Sequence, residues 1–427
     1  MEDLGKLAGQ FQLYARLAQE WGVQQVDTEV SAAKAALEQA ARTLATAPVD
    51  PCMRQREPDD LAAIKALRPH VSRRMRARPD AKALADKLEA AMLCRFAGCT
   101  LGAIVEMWPV SRMETWATRI GDPFPPVDYW SKAWMPHEVR YGMSECDSYT
   151  RGGMRGVPVD DDVTYTLLGL LIVEKYGLDF TVEDVGKAWL EWLPMACTAE
   201  DIALRNLKKG IPAKQAADID NPYCQWIGAA IRSDPWAYIA AGWPEKAAEL
   251  AWRDAYLSHR RNGIYGEMYL AAAQAAAFAV RTAREALEIG LTEIPADCAL
   301  AADLRWALET AGSLRDWRHA RQLVDERFGA MSSVHTNNNL CLIVFGLLLG
   351  GNDVTRVLGE TVAMGLDNDC TAASAGSVLG AIVGRDAIPP HWVRGFAGKV
   401  GSYLNGYASF DIADLTARFA KAGERLW

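Results

Sequence analysis

Two stretches of this chain, 163–176 and 371–384, read as helices apolar or small enough to be buried. Yet each is entered through carboxylates: Asp160-Asp161-Asp162 before the first, Asp367 and Asp369 before the second. Unpaired charge resists burial, so a fold that buries both helices must also provide for both clusters. One Asp at a helix start caps free N–H groups and complements the dipole. Three in a row exceed what capping uses. Hard divalent cations take several carboxylate oxygens converging from separate elements, and a fold that joins the clusters around one or two ions satisfies both. The second cluster leads into Ala372, Ala373, Ser374, Ala375, Gly376 and Ser377, small enough to pack against another backbone and hold the carboxylates stiffly.

Helical periodicity dominates the rest. It predicts helices at 2–21, 28–46, 80–97, 181–193, 199–208, 226–240, 244–258, 265–288, 297–310, 314–328, 337–349 and 353–364, and no strand. The expected fold is all-α, with an N-terminal helical extension over 1–89 and a main body over 90–427. The small residues from Gly98 to Ala103 permit close helix–helix approach. Residues 109–158, rich in Pro, Gly and aromatics, read as a long irregular loop bordering a site. Arginines 54, 56, 68, 73, 74, 76 and 78 read as a solvated helical face and loop, since Glu57, Asp59 and Asp60 offset a polyanion surface.

At 427 residues the chain buries a full core, and its net charge of -8 argues against general nucleic-acid binding. The longest apolar run, 340–349, is about half of a membrane span. The nine cysteines form no CxxC pair and no zinc spacing, and MEDLGKLAGQ has no basic and apolar leader. A reducing, cytoplasmic setting is expected, without membrane or nucleic-acid partner.

The order of these features resembles the ADP-ribosylglycohydrolase family. Five stretches carry the resemblance: Ala97-Gly98-Cys99-Thr100-Leu101-Gly102 leading to Glu106; the Asp triplet, similar to a Thr-Asp-Asp metal motif; Gly228-Ala229-Ala230-Ile231-Arg232; Ser258-His259 with Gly263-Ile264-Tyr265-Gly266; and Asp367-Asn368-Asp369-Cys370. The resemblance implies a compact orthogonal bundle of helices and a binuclear magnesium site, with manganese as an alternative ion. Asp161 and Asp162 would bind from one side and Asp367 and Asp369 from the other, Asp369 bridging. Glu106 would act at the scissile bond together with Asp161 and Asp369. Gly228, Arg232, His259 and Tyr265 would contact the phosphates or distal ribose. The implied reaction is hydrolysis of an N- or O-glycosidic bond at the anomeric carbon of an ADP-ribosyl group, on a protein or a smaller glycoside. Asp160 stands where the family has Thr or Ser, and either adds a ligand or turns away as a cap. Cys370 stands where Thr is common, and is a softer ligand than a hydroxyl.

His335 and Asn338, in His335-Thr336-Asn337-Asn338-Asn339, either bind sugar hydroxyls or belong to a helix N-cap. Aromatics in 221–226 either stack a base or pack in the core. Isolated His70, His137, His319 and His391 take no role. Other chemistries fit less well. A terpenoid-synthase DDxxD would need an acid at Tyr165, and Ser258 lies on no nucleophile elbow. A non-catalytic metal-binding scaffold of the same fold is the alternative to an enzyme.

Overall fold

The computed structural model of the protein describes residues 4–71 and 75–427; Arg73 and Arg74 of the arginine-rich stretch lie outside them. Contacts divide the chain after Arg54 into two units. The first contains the helices Leu4–Glu20 and Val26–Ala45. The second holds everything else, so residues 55–89, expected in the extension, belong to the main body. A boundary at residue 90 would fall inside the helix Ala81–Ala103, whose residues from Ala90 onward are all buried.

Three helices form the middle of the large unit. The opening helix, Ala81–Ala103, starts at Asp80, whose side chain accepts from the Lys82 and Ala83 amides. It runs beside the closing helix, Asn368–Val383, in the most extensive helix contact of the molecule. Small residues make that approach close. A Cβ at Gly98 or Gly102 would fall within 3.0 Å of the closing helix's backbone, and one at Gly376 or Gly380 within 3.0 Å of the opening helix's backbone. Both pairs are spaced by four, so each lies on one helix face. The central helix, Asn262–Ala277, is buried at every residue, as expected of a helix that is apolar or small on every face but for Asn262, Glu267 and Gln274. Its alanines supply high helix propensity.

Around this middle pack the triplet helix, Asp161–Tyr176, which ends at Gly177 with φ +77°, and the asparagine helix, Thr336–Gly350. Among the described residues, no helix is long and apolar enough to cross a membrane.

The all-α expectation holds with local departures. A helix, Val110–Ile120, lies inside the stretch expected to be irregular. Its signal was present: Val110, Met113, Trp116, Ala117 and Ile120 are spaced for one face, with Pro109 before them and Gly121 (φ +77°) after. The helix expected over 265–288 is two, Asn262–Ala277 and Ala283–Gly290, the second capped by Thr282. Two antiparallel hairpins exist where no strand was expected, Val139–Arg140 with Ser144–Glu145 and Lys399–Leu404 with Tyr407–Asp411. Strand Lys399–Leu404 is buried at four of six positions, so its sequence does not alternate as a half-solvated strand does.

Candidate metal centre

The two acidic clusters meet. Carboxylate oxygens of Glu106, Asp367 and Asp369 lie within 4.8 Å of one another, as do ligand atoms of Asp162, Asp369 and Cys370. The meeting follows from the helix pair already described: Gly102 abuts the backbone of Asp369, and Glu106 stands in the turn leaving the opening helix. On the other side, Asp367 is steadied by its amide, which donates to Asn339 Oδ1 at 3.2 Å.

The triplet divides its labour. Asp160 is the N-cap, accepting from the Asp162 amide at 3.2 Å, and its other oxygen lies 3.2 Å from Arg140 Nη2. Asp162 is sealed inside, paired with the buried Arg95 at 3.2 Å and accepting from the Cys370 thiol at 3.0 Å. Arg95 also reaches the carbonyls of Asp162 and Ile231, at 2.8 and 2.6 Å. It thereby ties the start of the triplet helix to the opening helix. Asp161 faces outward and accepts from the Tyr141 hydroxyl at 2.7 Å.

A cavity of about 120 Å³ opens beside these groups, with Glu106, Asp161, Asp367, Asp369 and Cys370 on its acidic wall. Tyr141, Tyr165, Thr198, Glu200, Trp226 and Gly228 are among the residues that face them. Burial and the neighbouring Asp367 push Glu106 up to about 7, against the pull of Arg140. Burial and Asp160 push Asp161 up to about 7. Asp369 is held well above the usual carboxylate range by burial and by Glu106, Asp367, Asp160 and Asp162 around it. So dense a set of carboxylates strains itself unless cations are supplied. Asp367 Oδ1 and Asp369 Oδ1 are buried without a hydrogen-bond partner among the described residues.

The residues expected to contact substrate fall on two sides of the wall. Gly228 lines the cavity, and a Cβ there would collide with the Glu200 carboxylate. Arg232 does not reach it. Its guanidinium is buried against Glu200 at 2.6 Å, Asp254 at 2.5 Å and Ser258 at 3.0 Å. His259, fully buried, lies 2.8 Å from the Ser258 hydroxyl. Tyr265 is likewise buried and donates to the Pro58 carbonyl. None of these three lines the cavity. Asn338 is buried, donating to the Ser332 carbonyl at 2.8 Å.

His335 is the N-cap of the asparagine helix, its Nδ1 accepting from the Asn337 amide at 3.2 Å. Burial holds its imidazole down to about 4. An unfolded histidine titrates near 6.5, so between 6.5 and 4 the unfolded chain binds more protons, and stability falls as pH drops through that window. His335→Asn keeps the cap and removes this group. Relative to wild type, the variant should therefore recover about 2 kcal/mol at pH ~5 and nothing at pH ~8. Denaturant unfolding at both values checks this.

Arg140, Tyr141, Arg95, Thr198 and Glu200 were not anticipated. Arg140 and Tyr141 come from the stretch read as irregular. Glu200 opens a helix, where an acid needs no further explanation.

A family model described as ADP-ribosylglycohydrolase matches residues 80–424. Among solved structures, an "ADP-ribosylglycohydrolase-related protein complex" is similar with a TM-score of 0.54 and 20% identity, over 81% of this chain and 99% of that one. At that identity the likeness shows the fold. No curated protein matches the chain.

Proposed function

Because the chain belongs to the ADP-ribosylglycohydrolase family, we propose that it is a magnesium-dependent hydrolase. It would cleave the N- or O-glycosidic bond at the anomeric carbon of an ADP-ribosyl or related ribosyl group. One observation carries this reading: the partnerless, buried Oδ1 atoms of Asp367 and Asp369 belong to side chains on the wall of a cavity shared with Glu106 and Asp161. Buried acceptors are normally satisfied, and a set of hard carboxylate oxygens suits magnesium or manganese. Asp161, Asp367 and Asp369 would hold the metal. A bound ion there supplies an electrostatic anchor for ribose hydroxyls and lowers the pKa of water.

The chain's own groups do the rest. Glu106, with its carboxyl near 7, can take a proton from the attacking water or give one to the leaving atom at neutral pH. Positive charge spreading over the ribose ring is met by the carboxylates of the acidic wall. Tyr141 fixes the orientation of Asp161 through its hydroxyl. The Cys370 thiol, donating to Asp162, orients that carboxylate from inside. At about 120 Å³ the cavity is well below the roughly 300–1,000 Å³ of drug-sized sites. On this reading it would take the sugar at the scissile bond, with the remainder of the nucleotide and the leaving group beyond it.

Incubation with ADP-ribosyl-arginine and ADP-ribosyl-serine peptides, with and without chelator, tests the reading. Release of free ADP-ribose that stops with chelator and returns with magnesium is expected. No release from any ribosyl glycoside, in protein that binds no magnesium, would overturn it in favour of a scaffold.

A further inference from the structure

The Arg140 guanidinium already stands among the carboxylates where a two-ion centre would place metal. Its Nη2 is 2.8 Å from Glu106 Oε2, 3.2 Å from Asp160 Oδ2 and 3.8 Å from Asp369 Oδ2. Paired metal centres hold their ions about 3.5–4 Å apart, and a carboxylate bridging them turns one oxygen to each. Here Asp369 turns Oδ2 toward Arg140, while Oδ1 is buried and partnerless. The neighbouring Asp367 Oδ1 is partnerless as well. One cation position is thus filled by the chain, and the partnerless Asp367 and Asp369 oxygens mark a second.

The hairpin that delivers Arg140 is built to hold it there. The Met143 amide donates to the Arg140 carbonyl at 3.1 Å, and Tyr141 and Gly142 between them have φ +51° and +68°. Positive φ at both central residues is the turn that matches strand twist, but it costs a tyrosine about 1–2 kcal/mol. Strain of this kind persists only where the surroundings over-determine it. The surroundings are visible. The Tyr141 ring stacks on Tyr403 at 5.5 Å, its hydroxyl donates to Asp161 at 2.7 Å, and Ser144 accepts from the Val159 amide at 3.1 Å. Tyr141, next to Arg140, and Ser144, its partner across the hairpin, are therefore both pinned to the triplet's own segment.

We propose that Arg140 is a permanent cation of this centre, standing in place of one of two divalent ions, so that the chain binds a single ion on the side of Asp161, Asp367 and Asp369. This rests on the metal-dependent reading above and changes its stoichiometry. A fixed guanidinium supplies charge and hydrogen bonds to Glu106 and Asp160 but cannot exchange or acidify water. Those tasks then fall on the one bound ion.

Manganese is the probe: calorimetric titration of metal-stripped protein, with electron paramagnetic resonance of the loaded sample. Wild type should take one equivalent and give the spectrum of an isolated ion, and Arg140→Lys should do the same. Arg140→Ala should take two equivalents and show the coupling of a close pair. Two coupled ions in wild type would overturn the inference and leave the hydrolase reading intact, as would an Arg140→Ala variant of native circular dichroism that still takes one. No binding by wild type would overturn both.

Discussion

Asp369→Asn is expected to abolish turnover while raising the melting temperature of the metal-free protein. Asp369 sits in the first turn of the closing helix, 1% exposed, with Glu106 and Asp367 oxygens within 4.8 Å. One oxygen faces Arg140 at 3.8 Å, too far for a hydrogen bond, and the other has no partner. An amide of the same shape removes the charge and offers donors to the carboxylates that now repel it. Relief of one unsatisfied buried acceptor is worth about 1–3 kcal/mol. The same change removes the side chain best placed to hold the ion. Metal-supplied stabilisation of a transition state is several kcal/mol, which corresponds to about 10³-fold in rate. Stability and activity should therefore move in opposite directions, as they do where a site is strained for function. Calorimetry with manganese, ADP-ribose release and melting in chelator check the three parts. Unimpaired turnover would refute Asp369 as a ligand. A lower melting temperature in chelator would show that the charged form is not strained.

The meeting of the two clusters was legible because its elements are local. Carboxylates before an apolar helix, and glycines at Gly98, Gly102, Gly376 and Gly380, are patterns within single helices. Burial supplies the reason they must come together. What faces the cavity was less legible. Arg232 and its companions resemble ligand contacts in sequence, yet an arginine beside a glycine-containing turn reads the same whether it meets a phosphate or a buried Glu200. The choice depends on which way the short turn Ile227–Arg232 rotates, a matter of packing between distant elements. Arg140 was hidden for the opposite reason. Nothing local distinguishes it from other loop arginines, and its importance comes only from three carboxylates supplied by three other segments. At His335 the ring caps a helix, while Val334 beside it lines the cavity.

Gly102 tests whether the helix pair sets the geometry of the centre. A Cβ at this position would fall within 3.0 Å of the Asp369 Cα and amide nitrogen. No flexible side chain is there to yield, so the two helices must separate. Gly102→Ala gains about 1 kcal/mol of helix propensity but forces overpacking that typically costs about 1–3 kcal/mol, and more where backbone meets backbone. A net loss of about 2 kcal/mol is expected. The sign is set by the neighbour rather than by the residue: Gly9, in an exposed helix with nothing within 4 Å, should gain from the same change. The larger effect is on the ion. Separation at Gly102 carries Asp369 away from Glu106 and the triplet, and a centre tolerates only about 0.5 Å of such displacement. Manganese affinity should fall at least about tenfold, the loss seen when groups supporting metal ligands are disturbed, with helical content preserved. Gly380→Ala, about three turns further along the same interface and away from the carboxylates, where a Cβ would meet the Ala90 backbone, should cost similar stability with far less effect on the ion. Equal losses of affinity in both variants would mean that the ion responds to stability in general, and the helix contact would not be what positions Asp369.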